Sequence, residues 1–177
     1  MSGHNKWSQI KEKKGKTDAV KSRVFSKFAR LIGDEARRAK GDKNAPALRA
    51  AIERARKENM PSDNIERAIK KATEEGGGAA LEQVRYEAYG PGGVALIIEV
   101  LTDSRNRVSQ EIKHLLSENG GNLAGPGAAA WAFEKTADGW KPTTTTPLSD
   151  EDLAKLSALV EKLEAYEDVQ EVFTNAE

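Results

Sequence analysis

The spacing of apolar residues changes period near the middle of the chain. From Thr17 to Lys40, Val20, Val24, Phe28 and Leu31 recur at helical intervals, flanked by Phe25 and Ile32. This predicts a helix whose remaining surface carries Lys21, Lys27, Arg30, Arg37 and Arg38. A second helix is predicted from Asn44, a suitable N-cap, to near Asn59. It has Pro46 in its first turn and Leu48, Ile52 and Ala55 facing inward. Asp63, with Glu66 three residues later, reads as a capping box for a third helix that buries Ile65 and Ile69. Three helices with one apolar face each form a small bundle.

Beyond Gly76-Gly77-Gly78 the period shortens to two. Val84, Tyr86 and Ala88 alternate, as do Val94, Leu96, Ile98 and Val100, around the turn Gly90-Pro91-Gly92-Gly93. A helix with Val108, Ile112, Leu115 and Leu116 on one face then ends at Gly120-Gly121. Ala129, Trp131 and Phe133 predict a third strand, and Asp138-Gly139 turns into a fourth, from Trp140 to Thr146. Ser149 and Asp152 cap a last helix, lined by Leu153, Leu156, Val160 and Leu163, with Leu148 stapled onto Leu153. A strand around Val169 to Phe173 closes the chain. The predicted class is α+β: a three-helix domain, then a ββαββαβ domain with its helices against one sheet face.

Charge divides the chain more sharply than period does. The totals cancel, 28 basic against 28 acidic. Residues 1–73 nevertheless hold 20 Lys and Arg against 9 Asp and Glu, a net of +11, and the remainder is −11. Such asymmetry points to a polyanion partner for the basic part. Residues 1–16 carry Lys6, Lys11, Lys13, Lys14 and Lys16 beside His4, opposed only by Glu12. With so few apolar side chains they are expected to be a flexible basic arm. The predicted organisation is therefore an arm (1–16), a helical nucleic-acid-binding domain (17–75), a glycine linker (76–79) and an α+β domain (80–177).

The sequence also excludes several classes. There is no cysteine, hence no disulfide, thiolate nucleophile or zinc-thiolate site. The N-terminus has no apolar signal core, and the strongest apolar stretch, Val94 to Val100, is too short to span a bilayer. His4 and His114 are the only histidines, and Gly90-Pro91-Gly92-Gly93 lacks the Lys-Ser/Thr of a phosphate-binding loop. A cytoplasmic, monomeric, non-enzymatic protein without metal or cofactor is expected.

Several motifs resemble one family. Gly3-His4-Asn5-Lys6-Trp7 with Ile10-Lys11, Asn59 to Ala72, Tyr86 to Arg107, Gly120 to Lys135 and Leu163 to Asn175 together resemble the YebC family. That family includes the mitochondrial translational activator of cytochrome c oxidase. The chain resembles a short form. Where the family usually inserts a further α+β domain, after Glu134-Lys135, a turn from Thr136 to Gly139 leads straight into the next strand. Ala128-Ala129 also replaces a serine that usually follows glycine. The resemblance implies a non-enzymatic regulator, described among relatives either as a DNA-binding transcriptional regulator or as a translation factor for ribosomes stalled at proline-rich stretches.

The expected phosphate contacts are Lys6, Lys11, Lys13, Lys14, Lys16, Lys21, Arg23, Lys27 and Arg30, with Arg67, Lys70 and Lys71 as a second cluster. Trp7 has two uses open to it, stacking on a base or docking on neighbouring helices. Arg105 and Arg107 either clamp phosphate at a helix start or pair with Asp103 and Glu111. RNA or the ribosome is the favoured partner and DNA the alternative. The arm is rich in lysine and lacks arginine, which suits backbone contact over base reading. No helix shows an obvious recognition cluster of Asn, Gln and Arg.

Overall fold

The computed structural model describes residues 5–74 and 81–177. The expected glycine linker at 76–79 and His4 lie outside the described residues. The chain forms two compact units, one spanning Thr17–Leu81 and the other joining the residues up to Lys16 with Glu82–Glu177.

The helical unit contains α2 (Asp18–Arg38), α3 (Pro46–Lys57) and α4 (Ser62–Thr73). Thr17 caps α2 by accepting the Val20 N–H. Ile32, Ala36, Leu48, Ile52, Ala55, Ile65 and Ile69 form the core, as helical spacing requires. Two predicted caps are corrected. The α3 N-cap is Ala45, with no side-chain bond, while the Asn44 N–H donates to Asp42. Pro61 precedes α4, and Glu66 pairs with Lys43 at 2.7 Å instead of reaching back along its helix. The Asp34 carboxylate, fully buried, accepts the Leu81 N–H at 2.7 Å and Arg38 Nε at 2.9 Å. Arg38 in turn donates to the Leu81 carbonyl. The segment just before the sheet is thus fastened to α2.

In the second unit β1 (Glu82–Tyr89), β2 (Ala95–Thr102), β3 (Asn122–Ala124) and β6 (Val169–Thr174) form an antiparallel sheet ordered β3-β1-β2-β6. β1 and β2 pair from Glu82↔Thr102 to Tyr89↔Ala95. Ala88, Leu96, Ile98 and Val100 share one core with Val108, Ile112 and Leu116 of α5 (Arg105–Glu118) and Leu153, Leu156 and Leu163 of α6 (Asp150–Ala165). Ser149 caps α6 as predicted, accepting the Asp152 N–H.

Strand order departs from ββαββαβ in two places. A short β3 is added on the edge beside β1. The predicted third and fourth strands shift to β4 (Phe133–Thr136) and β5 (Gly139–Pro142), a separate hairpin rather than part of the main sheet. This hairpin covers the second sheet face, where Ala95 and Ile97 meet Ala129, Ala132, Phe133 and Trp140. At its turn Gly139 has φ +110°, and a Cβ there would lie 2.6 Å from the Phe173 ring, so both conformation and space require glycine.

The sequence alternation at Ala129–Phe133 fails to make a strand because one carboxylate claims its amides. Glu87, buried on β1, accepts N–H groups from Gly127 (2.7 Å), Ala129 (3.0 Å) and Ala130 (2.6 Å). Residues Ala130–Ala132 therefore wind into a 3₁₀ turn. The Tyr89 hydroxyl donates to the Ala128 carbonyl and fixes the loop from a second side.

The predicted mobile arm is corrected. Residues Lys6–Gly15 form α1, capped by Asn5, and Trp7 is buried in the core shared by the sheet, α5 and α6. Ile10 packs beside it. One aromatic and one aliphatic side chain, three residues apart, are enough to dock a helix that composition alone reads as disordered. Burial of the indole is worth on the order of 3 kcal/mol.

Burial alone would push the Glu87 carboxyl pKa up, but three backbone donors and nearby Arg85 hold it below its ordinary value of 4.5. Its contribution to stability is therefore fully present above pH 4.5 and lost as pH falls through the depressed folded value. Glu87→Gln should lower the unfolding free energy by ~1–3 kcal/mol at neutral pH. Urea titrations should show the gap to wild type narrowing well below pH 4.5, once the wild-type carboxylate is itself protonated.

Candidate nucleic-acid interface

The expected phosphate-binding residues are divided between the two units. Those at the N-terminus face carboxylates on α6. Lys6 Nζ lies 3.0 Å from Asp150, Lys11 Nζ 2.6 Å from Glu164, and Lys14 Nζ 3.4 Å from Glu161 and 2.6 Å from the Ser157 hydroxyl. Lys11 also lies over the Trp7 ring. Of the two uses open to Trp7 the structure shows docking, in the core of the sheet unit. Lys13 lines a groove between α1 and α6, and Lys16 ends the helix, both exposed. The partners on α6 at 150, 157, 161 and 164 fall on one helical face. Sequence reasoning saw the acidic composition of this half but missed that row.

On α2, Arg23, Lys27 and Arg30 lie at i, i+4 and i+7, so they share one side of the helix, all half-buried, and Lys21 is exposed nearer its start. Arg30 and Lys27 both make further polar contacts. On α4, Lys70 lies 3.9 Å from Glu74. Arg67 and Lys71 are exposed on the side away from Ile65 and Ile69. Half-buried Asn64 completes an i, i+3, i+7 row with them. The sequence reading did not single out this Asn-Arg-Lys row, although its spacing was visible. It also missed Arg56, exposed on α3. Lys21, Arg23, Arg56, Arg67 and Lys71 have no ion-pair partner among the described residues.

Arg105 and Arg107 pair locally, but only in part as expected. Ser104 caps α5, so the helix start is already served. Arg105 Nε lies 2.7 Å from Glu82. Arg107 bridges Asp103 at 2.7 Å and buried Asp168 at 2.6 Å. Asp168 also accepts the Thr102 hydroxyl at 2.8 Å. These bonds raise the Arg107 pKa, first through Asp168 and then through Asp103 and Tyr166. The cluster ties the end of β2 to the α6–β6 connection, and Arg107 is directed at carboxylates of its own fold.

Assigning the arm to its structural unit halves the charge separation. Thr17–Leu81 holds 15 Lys and Arg against 10 Asp and Glu, a net of +5, and the sheet unit with the N-terminal residues has 13 against 18, a net of −5. Among the described residues no group of three or more His, Asp or Glu side chains suits a metal ion. No described helix is long and apolar enough to cross a membrane.

A family model described as the TACO1/YebC protein N-terminal domain matches residues 5–75. The model for the TACO1/YebC second and third domain matches 81–138 and 135–176. The break between those two pieces falls at the β4–β5 turn. A probable transcriptional regulatory protein of Syntrophobacter fumaroxidans is 53% identical over 136 residues, covering 76% of this chain and 55% of that protein. The chain thus spans about half the length of that relative. A protein of the same name from Pelotomaculum thermopropionicum is 36% identical over 240 residues, covering all of this chain and 99% of its own. With 177 residues here, the surplus of that relative is internal. Among solved structures, a conserved hypothetical protein from Aquifex aeolicus superposes with a TM-score of 0.73 and 31% identity, covering 92% of this chain and 93% of that one.

The placement of Arg107 separates stability from binding. Arg107→Ala leaves the buried Asp168 charge without its guanidinium, so the thermal midpoint should drop clearly. Nucleic-acid affinity, measured by anisotropy well below that midpoint, should stay at the wild-type value.

Proposed function

The chain belongs to the TACO1/YebC family, and we propose that it is a non-enzymatic, nucleic-acid-binding regulator of gene expression acting in the cytoplasm. The helical unit is the contact surface. Lys21, Arg23, Arg56, Arg67 and Lys71 place cations on all three of its helices without internal carboxylate partners among the described residues. Cations of this kind neutralise phosphates and release counterions.

The observation that favours an RNA–protein target is the pair of opposite net charges, +5 on one unit and −5 on the other. A bare duplex attracts the first unit and repels the second. A ribosome offers phosphate together with basic protein, so both units find complementary charge. Relief of stalling at proline-rich stretches is the translational role that the family resemblance suggests. A second reading, DNA-binding transcriptional regulation, is supported by the names of the relatives and by the Asn64-Arg67-Lys71 row. Asn and Arg on one exposed helical face are the side chains that read base edges in a major groove.

Competition distinguishes the two. Labelled protein bound to ribosomes at physiological salt should resist excess duplex DNA of any sequence. Displacement by a particular promoter, but not by scrambled duplex, would transfer the role to transcription. Either way Arg67→Glu with Lys71→Glu should weaken binding. The slope of log affinity against log salt should fall by about 1.4 to 1.8 for two lost phosphate contacts. An unchanged slope would remove α4 from the interface.

A further inference from the structure

The groove between α1 and α6 places a row of lysines against a row of carboxylates within one unit. It is open, about 630 Å³, and lined by Lys6, Lys13 and Lys14 from α1 and by Asp150, Ser157 and Glu161 from α6. Two kinds of contact hold the helices together, and they differ in strength. Trp7 is only 7% exposed in the core. The ion pairs of Lys6 with Asp150 and Lys14 with Glu161 are solvent-exposed, with side-chain exposures of 60% and 88%, and 49% and 61%. Pairs so open to water are weak and screened by salt. The lysines can change partner while the helix stays where its indole anchors it.

We infer that α1 is a second phosphate-binding element, held in check by α6, whose carboxylates occupy the lysines until a nucleic-acid strand replaces them. The inference rests on the nucleic-acid reading of the helical unit and adds a site to it. A strand lying along the groove takes Lys6 and Lys14 from Asp150 and Glu161, and Lys13 joins them. Lys11 stays with Glu164, whose side chain is only 23% exposed. The α6 row lowers affinity in two ways. It competes for the cations, and it repels the phosphates that approach them. Weak, exchangeable binding at this site is thus encoded by the protein's own anion.

The test uses the full chain and labelled oligouridylate, with anisotropy read across a salt series. Asp150→Asn with Glu161→Gln removes the two carboxylate charges that face Lys6 and Lys14 without touching the core, and leaves the Ser157 hydroxyl bonded to Lys14 in place. This pair should bind several-fold more tightly than wild type, with the same salt slope, because the same two lysines meet phosphate in both. A charge-matched control, Glu118→Gln with Glu134→Gln, should gain much less. Adding Lys6→Gln and Lys14→Gln to the first pair should abolish its gain and lower the salt slope by about 1.4, for two lost phosphate contacts. In a background of Trp131→Phe and Trp140→Phe, the emission of Trp7 should not shift to the red on binding, because α1 stays docked.

Equal gains in the variant and the control, or an unchanged slope once Lys6 and Lys14 are removed, would overturn the inference while leaving wild-type binding and the proposed function intact. A red shift of Trp7 would overturn the exchange in place. Loss of all binding in wild type and variants alike would overturn both the site and the functional reading beneath it.

Discussion

β2 sets the terms for the sheet unit, because it is buried on both faces. Ala95 to Thr102 is covered throughout except at half-buried Glu99. A strand in that position needs neighbours on both edges and an apolar layer on both sides. β1 and β6 satisfy the edges. α5 and α6 supply one layer, and the β4–β5 hairpin with Ala129 and Ala132 supplies the other. The hairpin sits where the second-and-third-domain family model breaks. A chain shorter than its relatives therefore still covers its central strand. The turn at Gly139 and the loop held by Glu87 do this within residues 127–142.

The cover on the second face is polar where it is most constrained. A buried carboxylate costs several kcal/mol unless its lone pairs are satisfied. Glu87 meets that cost with three backbone amides, which at the same time denies those amides to a sheet ladder. Trp140 repeats the pattern at the hairpin. Its indole N–H donates to Glu99 at 2.6 Å, and Arg85 and Lys135 flank its ring at 4.8 Å. Here the sheet face is closed by aromatic and ionic contacts together, which suits a cover too small to be wholly apolar.

Much of this was legible in the sequence, and the misses share a cause. α2 to α4, β1, β2, α5, α6 and β6 follow from period, because each buries one face and the residues repeat accordingly. Helix α1 was not legible, since Trp7 and Ile10 give no periodic signal across ten residues. Its partner lies about 145 residues away on α6. β4 was displaced because alternation at Ala129-Trp131-Phe133 competes with Glu87, which is remote in sequence and leaves no local mark. Trp131 is 62% exposed, the reverse of the inward position its place in the pattern suggested. The N-terminal lysines were legible as cations but not as paired cations. Composition records charge, and only the fold records which charges meet.

Pairing also changes how the net charge of this chain should be understood. The split of +11 and −11 along the sequence treats residues 1–16 as part of the basic half. In the fold those residues belong to the acidic unit and neutralise part of it, and each unit ends with a net charge of five. Long-range attraction to a polyanion is correspondingly weaker than the sequence suggests, and screening confines it to roughly 8 Å at physiological ionic strength. In the proposed function, binding therefore rests on close contacts of a few cations of the helical unit rather than on a strong overall field. Contacts of that kind discriminate by the shape of the target, since only a target that brings several phosphates within reach at once can engage several of Lys21, Arg23, Arg56, Arg67 and Lys71.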